Sequence, residues 1–253
     1  MSNGNTKNMR VVADGSELAH AAAEVFASRA ETAVQARGRF MVALAGGSTP
    51  SAAYRLLADP QAPYYRRITW QNTHIFFGDE RFVPADHPDS NYRMAHETLL
   101  GHVPIPSANI HRIATELPSA EAAAQAYARE LGTAFGLTPP LMPRFDLVLL
   151  GMGADGATAS LFPGEETVSE WRLWVAAPFI EKLGSHRITL TFPVLDNARC
   201  VTFLVSGHDK ATALARILGT TGHAWLPAGQ VRPQGELVWL VDQTAAAALP
   251  ARG

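Results

Sequence analysis

Residues 145–156 read FDLVLLGMGADG, an apolar stretch that passes directly into a glycine-rich segment. We expect Phe145–Leu150 to be a strand covered on both of its faces, because the run is short and almost entirely apolar. The same arrangement occurs twice earlier in the chain. RFMVALA at 39–45 precedes GGSTP at 46–50, and HIFF at 74–77 precedes GDER at 78–81. The sequence therefore predicts three buried strands that each end in a glycine-rich or charged loop.

Helical segments alternate with these strands. Ser16–Arg37 is rich in Ala and Glu, with Asp14 as a suitable N-cap and Gly38 as a suitable end. Further helices are predicted from about Pro50, over Asn91–Leu100, over Ser119–Phe135 and around Lys210. Later strand candidates are RLWVAA at 172–177, HRITLTF at 186–192, CVTFLVS at 200–206 and a final strand at Glu236–Val241.

This alternation predicts an α/β protein with a mostly parallel sheet and helices on both faces. The chain contains no internal repeat and no segment that reads as an inter-domain linker. We therefore expect a disordered tail at 1–8 and a single α/β domain at 9–253. In such sheets ligands bind outside the carboxyl ends of the strands, so the loops after the strands are where function is to be sought.

The composition excludes several classes of protein. Of the 253 residues, 47% are hydrophobic and 17% charged, which is ordinary for a globular protein and excludes disorder as the main state. The net charge is −2 and no block of Lys or Arg occurs, so the footprint of a nucleic-acid-binding protein is missing. An anionic ligand must then be held by a few local cations, since the overall field of the protein is weak.

The location of the protein is expected to be the cytoplasm. Cys200 is the single cysteine, which rules out a disulfide within the chain and fits a reducing compartment. The first residues, MSNGNTKN, have no apolar core of a signal peptide, and the apolar runs are too short to span a bilayer. We expect no membrane partner, and either a monomer or a small homo-oligomer.

The loop at 46–50, GGSTP, has the composition of a phosphate site. Its two glycines allow close approach of a ligand to the backbone, and Ser48 or Thr49 can cap a helix that has Pro50 in its first turn. The start of a helix offers free N–H groups and the positive end of a dipole, which suits a phosphate. The alternative is an ordinary strand-to-helix turn.

Two more loops carry candidate side chains. In GDER, Arg81 is a fork-shaped donor to a carboxylate or phosphate, and Asp79 is placed to position a hydroxyl or a partner side chain; the alternative is a solvated turn. GMGADG at 151–156 matches G-x-G-x-x-G, the pattern of a dinucleotide-binding fold. No acidic residue ends a strand about 20 residues later, however, so we do not expect a nicotinamide cofactor.

Several longer motifs together resemble the 6-phosphogluconolactonase family. They are ALAGGSTP at 43–50, FFGDERFVP at 76–84 followed by SNY at 90–92, the stretch FDLVLLGMGADGATASLFPG at 145–164 and RITLTFPVLDNA at 187–198. Their order and spacing match over nearly the whole chain. The resemblance implies the three-layer, Rossmann-like α/β fold shared with glucosamine-6-phosphate isomerases. It also implies hydrolysis of 6-phospho-D-glucono-1,5-lactone to 6-phosphogluconate, without a metal or organic cofactor.

The resemblance also implies roles for individual residues. The phosphate or the sugar chain would be held by the loop residues Gly46, Gly47, Ser48 and Thr49. Anionic groups of the substrate would be held by Arg187 and Lys210, and Arg81 would contact substrate. Asp79 and Asp155 correspond to acidic residues around the catalytic centre.

The chain departs from the family at one position. The family pattern reads G-x-D-G-H-T-A-S-L-F-P-G, and the histidine of that pattern is Ala157 here. An imidazole with a pKa near neutrality can take a proton from water and return one to the ring oxygen of the lactone, while Asp155 orients it. A methyl group does neither, and loss of a general base commonly lowers the rate by about 10²–10⁴. Two explanations stay open: an engineered substitution and a natural homologue with lost or rerouted chemistry.

None of the remaining histidines is an obvious replacement. His208 lies close to Lys210 in sequence, but its ring would have to reach the lactone from a different loop. The others are expected to be structural or solvated, and no pair has a metal-binding spacing backed by acidic residues. They are His74, His87, His96, His102, His111, His186 and His223.

Two other functions remain as alternatives. A glucosamine-6-phosphate isomerase or deaminase shares the fold and the phosphate site, but its sequence after the histidine position resembles H-I-A-F-N-E-P, whereas this chain has TASLF at 158–162. A non-catalytic sensor of sugar phosphates would keep the pocket and lack the base, as Ala157 suggests.

Overall fold

The structure is a computed structural model that describes residues 8–219 and 225–250. The predicted tail at 1–8 lies outside these residues except for Asn8, whose carbonyl accepts a hydrogen bond from the Trp239 amide at 3.0 Å. The strands are β1 (Met9–Val12), β2 (Phe40–Leu44), β3 (Thr73–Phe77), β4 (Asp79–Arg81), β5 (Leu147–Gly151), β6 (Val175–Ala176), β7 (Phe179–Ile180), β8 (Ser185–Leu190), β9 (Cys200–Val205) and β10 (Glu236–Asp242). The α-helices are α1 (Gly15–Arg37), α2 (Ser48–Ala58), α3 (Asn91–Ala95), α4 (Ala120–Phe135), α5 (Phe192–Asp196), α6 (Ala211–Leu218) and α7 (Pro227–Gln230).

The centre of the fold is a six-stranded sheet with the order β1-β10-β9-β5-β2-β3. Every neighbouring pair in it is parallel. All five residues of β2 and all six of β9 are buried, which requires cover on both faces of the sheet. The predicted three-layer α/β fold with a mostly parallel sheet is therefore confirmed.

The ends of the long helices follow the sequence signals. Asp14 caps α1 by accepting the N–H groups of Ser16 and Glu17, and Gly38 ends the helix in the left-handed conformation with φ 74°. Gly136 ends α4 in the same way. Such an N-cap contributes about 1 kcal/mol. The predicted cap at Asp14 and the predicted stop at Gly38 are confirmed.

A second, antiparallel sheet stands beside the first. In it β8 lies between β4 and β6 and also pairs with β7. The predicted strand at 186–192 is thus a strand as far as Leu190, but it belongs to this smaller sheet. Its last residue, Phe192, begins α5 after the N-cap Thr191.

Two further predicted elements have different bounds in the structure. The strand predicted at 172–177 is reduced to Val175–Ala176, because the Glu170 carboxylate accepts the N–H groups of Arg172 and Leu173 and holds them in a turn. The helix predicted at Asn91–Leu100 is regular only to Ala95 and continues as one π-helical turn. There the Thr98 hydroxyl donates to the Met94 carbonyl, a contact that often bends helices.

Candidate active site

The order in which strands are added to the central sheet reverses between β2 and β5. From β2 the chain continues to β3 on one side, and from β5 it continues to β9 and β10 on the other. At such a switch point the loops after the two strands separate and leave a crevice. A cavity of about 380 Å³ lies there, lined by residues from the loops that follow β2, β3, β5 and β9.

The loop after β2 presents the start of α2 to this cavity. Gly47 is the N-cap with φ 102°, a backbone conformation that side chains rarely adopt, and no side chain of the described residues caps the helix. The helix begins at Ser48, close to the start predicted at about Pro50, and neither Ser48 nor Thr49 is its cap. Both line the cavity together with Gly46 and Gly47. The N–H groups at this helix start are suited to bind an anion.

Asp79 is a buried carboxyl group at the wall of the cavity, with 8% of its surface exposed. Its Oδ2 accepts a hydrogen bond from the Ser160 hydroxyl at 2.7 Å, and its Oδ1 accepts one from the Asn91 side-chain amide at 3.2 Å. Burial raises the pKa of Asp79, although Ser160, Asn91 and the nearby guanidinium groups oppose the shift. A carboxyl group with a raised pKa is a stronger proton acceptor than an exposed one.

Arg81 and Arg187 lie directly opposite each other on β4 and β8. Arg81 lines the cavity and donates to the Asp89 carbonyl at 2.7 Å, whereas Arg187 does not line it and donates to the Ser185 hydroxyl at 2.6 Å. Within the described residues neither forms a salt bridge. Burial, together with the charge of Arg81, lowers the pKa of Arg187, yet an arginine stays protonated in a protein. Two adjacent guanidinium groups without a paired carboxylate favour an anionic ligand.

Lys210 reaches the cavity from the turn after β9. Its ammonium group pairs with Asp209 at 2.6 Å, and 63% of the Asp209 side chain is exposed. A pair as exposed as this contributes little, so a ligand anion can replace Asp209 without a large penalty. His208, on the same turn, is exposed and is not among the residues that line the cavity.

Asp155 and Ala157 lie in the loop after β5, and both line the cavity. The Oδ1 atom of Asp155 accepts the Ala157 amide at 3.0 Å, and its Oδ2 atom pairs with the Lys182 ammonium group. Burial alone would raise the pKa of Asp155, but Lys182 and the Ala157 N–H outweigh it and lower the pKa. The histidine position of the motif is thus occupied by a buried methyl group next to a well-stabilised carboxylate.

A tight turn joins this loop to Asp79. The amides of Thr158 and Leu161 exchange hydrogen bonds with each other's carbonyls, and Ala159 between them has φ 46°. Left-handed backbone at a residue other than glycine destabilises by about 1–2 kcal/mol and is frequent at functional sites. The turn places the Ser160 hydroxyl on the Asp79 carboxylate.

Nine of the ten site residues that the motifs indicated line the cavity, and the tenth, Arg187, lies opposite Arg81 on β8. Three further residues were not assigned a role from sequence: Asn91, Ser160 and Lys182. Asn91 and Ser160 do occur within the quoted motifs SNY and TASLF, which was a usable signal. Lys182 carries none, since it follows an irregular segment and meets Asp155 only in the folded chain.

The rest of the described surface offers a weaker candidate. A larger groove of about 840 Å³ beside α4 is lined by Arg129 and Arg172 among apolar residues, with no carboxyl group among the lining residues and no strand-end loop. Within residues 8–219 and 225–250, no three His, Cys, Asp or Glu side chains lie close enough together to hold a metal ion. None of the described helices has the length and apolar character needed to cross a bilayer. His223 lies outside the described residues.

Comparison with known proteins gives a consistent result. A family model described as glucosamine-6-phosphate isomerases/6-phosphogluconolactonase matches residues 13–239. A 6-phosphogluconolactonase from Synechocystis sp. is 43% identical over 221 residues, which are 86% of this chain and 88% of that protein. The solved structure of 6-phosphogluconolactonase from Trypanosoma brucei superposes with a TM-score of 0.84 at 32% identity, covering 96% of this chain and 98% of that one.

The wider fold is shared with a deaminase. A solved monomeric glucosamine-6-phosphate deaminase superposes with a TM-score of 0.77, covering 95% of this chain and 99% of that one. Its sequence identity is 19%, so this likeness concerns the fold alone.

Proposed function

Because this chain belongs to the glucosamine-6-phosphate isomerase/6-phosphogluconolactonase family, we propose that it binds 6-phosphogluconolactone and hydrolyses it slowly to 6-phosphogluconate. The observation that carries the proposal is the convergence, on one cavity, of a helix start, two cationic side chains and two carboxyl groups. The high identity to 6-phosphogluconolactonases over most of the chain supports the choice of this substrate within the family.

The phosphate is held, in this proposal, by the amides at the start of α2 and by Arg81 and Lys210. Amide donors and the positive end of the helix dipole favour a doubly charged group, and both cations line the same cavity. Arg187, opposite Arg81, adds positive charge from the second sheet. The carboxylate of the product, 6-phosphogluconate, pairs with the cation among Arg81, Lys210 and Arg187 that the phosphate does not contact.

The reaction needs two proton transfers. Water attacks the carbonyl carbon of the lactone and loses a proton as the new C–O bond forms. The bond from that carbon to the ring oxygen then breaks, and the ring oxygen receives a proton. One imidazole commonly serves both steps, so with Ala157 in its place we propose a turnover lower by about 10²–10⁴ than with histidine.

Asp79 is the carboxyl group best suited to the remaining catalysis. It lines the cavity, and burial raises its pKa, whereas the pKa of Asp155 is lowered. A proton acceptor is more effective as its pKa approaches the working pH. Ser160 and Asn91 hold one oxygen each of the Asp79 carboxylate, so its direction is fixed.

The experiment that tests the function measures binding and turnover separately. Calorimetry with 6-phosphogluconate and with gluconate shows whether the phosphate is the group recognised, and we expect binding of the first to be at least tenfold tighter. Lactone consumption at low concentration, corrected for spontaneous hydrolysis, measures turnover. Binding without any acceleration would indicate a sensor, release of ammonia from glucosamine 6-phosphate would indicate a deaminase, and no binding of 6-phosphogluconate would refute the proposal.

A further inference from the structure

We propose that Asn91 is a positioning residue for Asp79 and for the loop at Gly46, and that the buried carboxylate of Glu80 holds Asn91 in place. The catalytic part of this inference rests on the proposed lactone hydrolysis. Its structural part concerns contacts among Glu80, Asn91 and Asp79 and can be tested without any activity. Neither Glu80 nor Asn91 was assigned a role by the motifs.

Asn91 contacts two parts of the site at once. It is 3% exposed and lines the cavity. Its amide nitrogen donates to the Asp79 carbonyl at 2.9 Å and to the Asp79 Oδ1 atom at 3.2 Å. Its amide oxygen packs on Gly46, where an added Cβ would lie only 1.9 Å from it. One side chain therefore joins the loop after β2 to the carboxyl group after β3.

Glu80 explains why Asn91 stays in that position. Glu80 is 2% exposed, and its two oxygens accept the amides of Asn91 at 2.7 Å, Tyr92 at 2.8 Å and Arg81 at 2.8 Å. The Ser90 hydroxyl also donates to it, at 3.1 Å. A buried carboxylate is strongly unfavourable unless such donors satisfy it, so the arrangement is held as a unit. It fixes the first residues of α3 and hence the backbone from which the Asn91 side chain extends.

The contact with Asp79 has a chemical effect beyond packing. A donor to a carboxylate stabilises its ionised form, so removal of the Asn91 amide raises the pKa of Asp79 further. The other charged or titratable groups that face Asp79 are Arg81 and Glu80 on β4, Arg187 on β8 and Tyr54 on α2. None of them is altered by a change at position 91. A shift in the titration of Asp79 would therefore report the lost donor.

The test begins with Asn91→Ala and Asn91→Leu, which both remove the amide donor without adding a charge beside Asp79. A ¹³C NMR titration of the Asp79 carboxyl group follows its protonation directly, and we expect its midpoint to move to higher pH in both variants. In the same proteins kcat for the lactone should fall about 10- to 100-fold, because losing the hydrogen bond that fixes the direction of the Asp79 carboxylate outweighs the gain from its higher pKa, while KM for Asn91→Ala changes less than about threefold. The acidic limb of the pH–rate profile should move to higher pH together with the titration midpoint of Asp79.

Asn197→Ala is the matched control. Asn197 is partly buried, and its side-chain amide likewise donates to backbone carbonyls, those of Met142 and Pro143, away from the cavity. Its loss should lower thermal stability and leave the Asp79 titration unchanged. An unchanged Asp79 midpoint in both Asn91 variants, or an equal shift in Asn197→Ala, would overturn the inference.

A double-variant cycle tests the part played by Glu80. If Glu80 acts through Asn91, then Glu80→Gln lowers kcat in the parent chain but lowers it little further in the Asn91→Ala chain. Fully additive effects would show that Glu80 acts by another route. If the parent chain proved inactive on the lactone, the proposed function would fail, while the NMR titration would still decide the link between Asn91 and Asp79.

Discussion

The ammonium group of Lys182 pairs with one oxygen of the Asp155 carboxylate, and the other oxygen accepts the backbone amide of Ala157. The same ammonium group lies 4.6 Å from the centre of the Phe162 ring, a cation–π contact. Lys182 comes from a short turn between β7 and β8, and 49% of its side chain is exposed. Asp155, the carboxylate that would orient a catalytic imidazole in this motif, thus already has a cationic partner. Lys182 would therefore compete with a histidine introduced at position 157.

Introducing an imidazole at position 157 should raise turnover. Ala157 and Asp155 both line the cavity, so a histidine side chain at position 157 can extend toward it. We expect Ala157→His to raise kcat for the lactone by about 10² or more, with little change in the affinity for 6-phosphogluconate. Rates at low lactone concentration, corrected for spontaneous hydrolysis, measure the gain. Ala157→Gln is the matched control, since it adds similar bulk without a group that transfers protons, and an equal gain there, or no gain with histidine, would contradict the proposed chemistry.

Lys182 should limit the activity of the Ala157→His variant. In Ala157→His the imidazole and Lys182 compete for Asp155, so adding Lys182→Met is expected to raise kcat by up to about fivefold, the size expected for a partly exposed ion pair. A ¹³C titration of Asp155 gives an independent measurement. Its pKa should rise when Lys182 is removed, because the ion pair that lowers it is lost. A fall in kcat would instead assign Lys182 a direct role in catalysis.

Removal of the positive charge of Arg187 or of Lys210 should weaken binding of 6-phosphogluconate. Arg187→Ala and Lys210→Ala each delete a charge from the anion site, and we expect the Kd of 6-phosphogluconate to rise well over tenfold in each. Calorimetry measures the change. Arg112→Ala is the control, since Arg112 pairs with Glu116 away from the cavity and its loss should leave Kd unchanged. Unchanged affinity in both test variants would place the anion elsewhere.

The two carboxyl groups of the site should affect stability in opposite directions. The raised pKa of Asp79 means that the native state holds its proton to higher pH than the unfolded state does. As the pH rises from the ordinary Asp value of about 3.9 through the raised value, the parent chain therefore loses stability. Asp79→Asn lacks this loss, so we expect its Tm to exceed that of the parent at pH 7.

Asp155→Asn is the counterpart, because the pKa of Asp155 is lowered. An ionised Asp155 stabilises the fold above its unfolded pKa, and this stabilisation disappears as the pH falls through the lowered native value. The variant should thus have a Tm slightly below that of the parent at pH 7 and equal to it in strong acid. Thermal unfolding between pH 3 and pH 8 measures both differences, and shifts of the same sign in the two variants would contradict the assigned pKa directions.

Much of this fold could be predicted from local sequence. The capping side chain of Asp14, the left-handed glycines Gly38 and Gly136, and the apolar runs of β2, β5 and β9 all act within a few residues. The second sheet could not be predicted in this way. Nothing in the HRITL run distinguishes an antiparallel partner of Asp79–Arg81 from another strand of the central sheet, because pairing depends on residues about 100 positions apart.

The site divides along the same line. Loops that follow buried strands could be located from sequence, since parallel strands bring their carboxyl ends to one edge. The contacts that tune the site could not. Ser160 reaches Asp79 across 81 positions, and Lys182 reaches Asp155 across 27, without a periodicity or motif that relates them.

Arg81 and Asp79 belong to the small antiparallel sheet, whereas the start of α2 and the turn with Lys210 follow strands of the parallel one. A bound sugar phosphate would therefore contact residues of both sheets and hold the two sheets together. A bound ligand should reduce local opening of the two sheets relative to each other. Protection of the β4 and β8 amides from hydrogen exchange should therefore rise with ligand concentration.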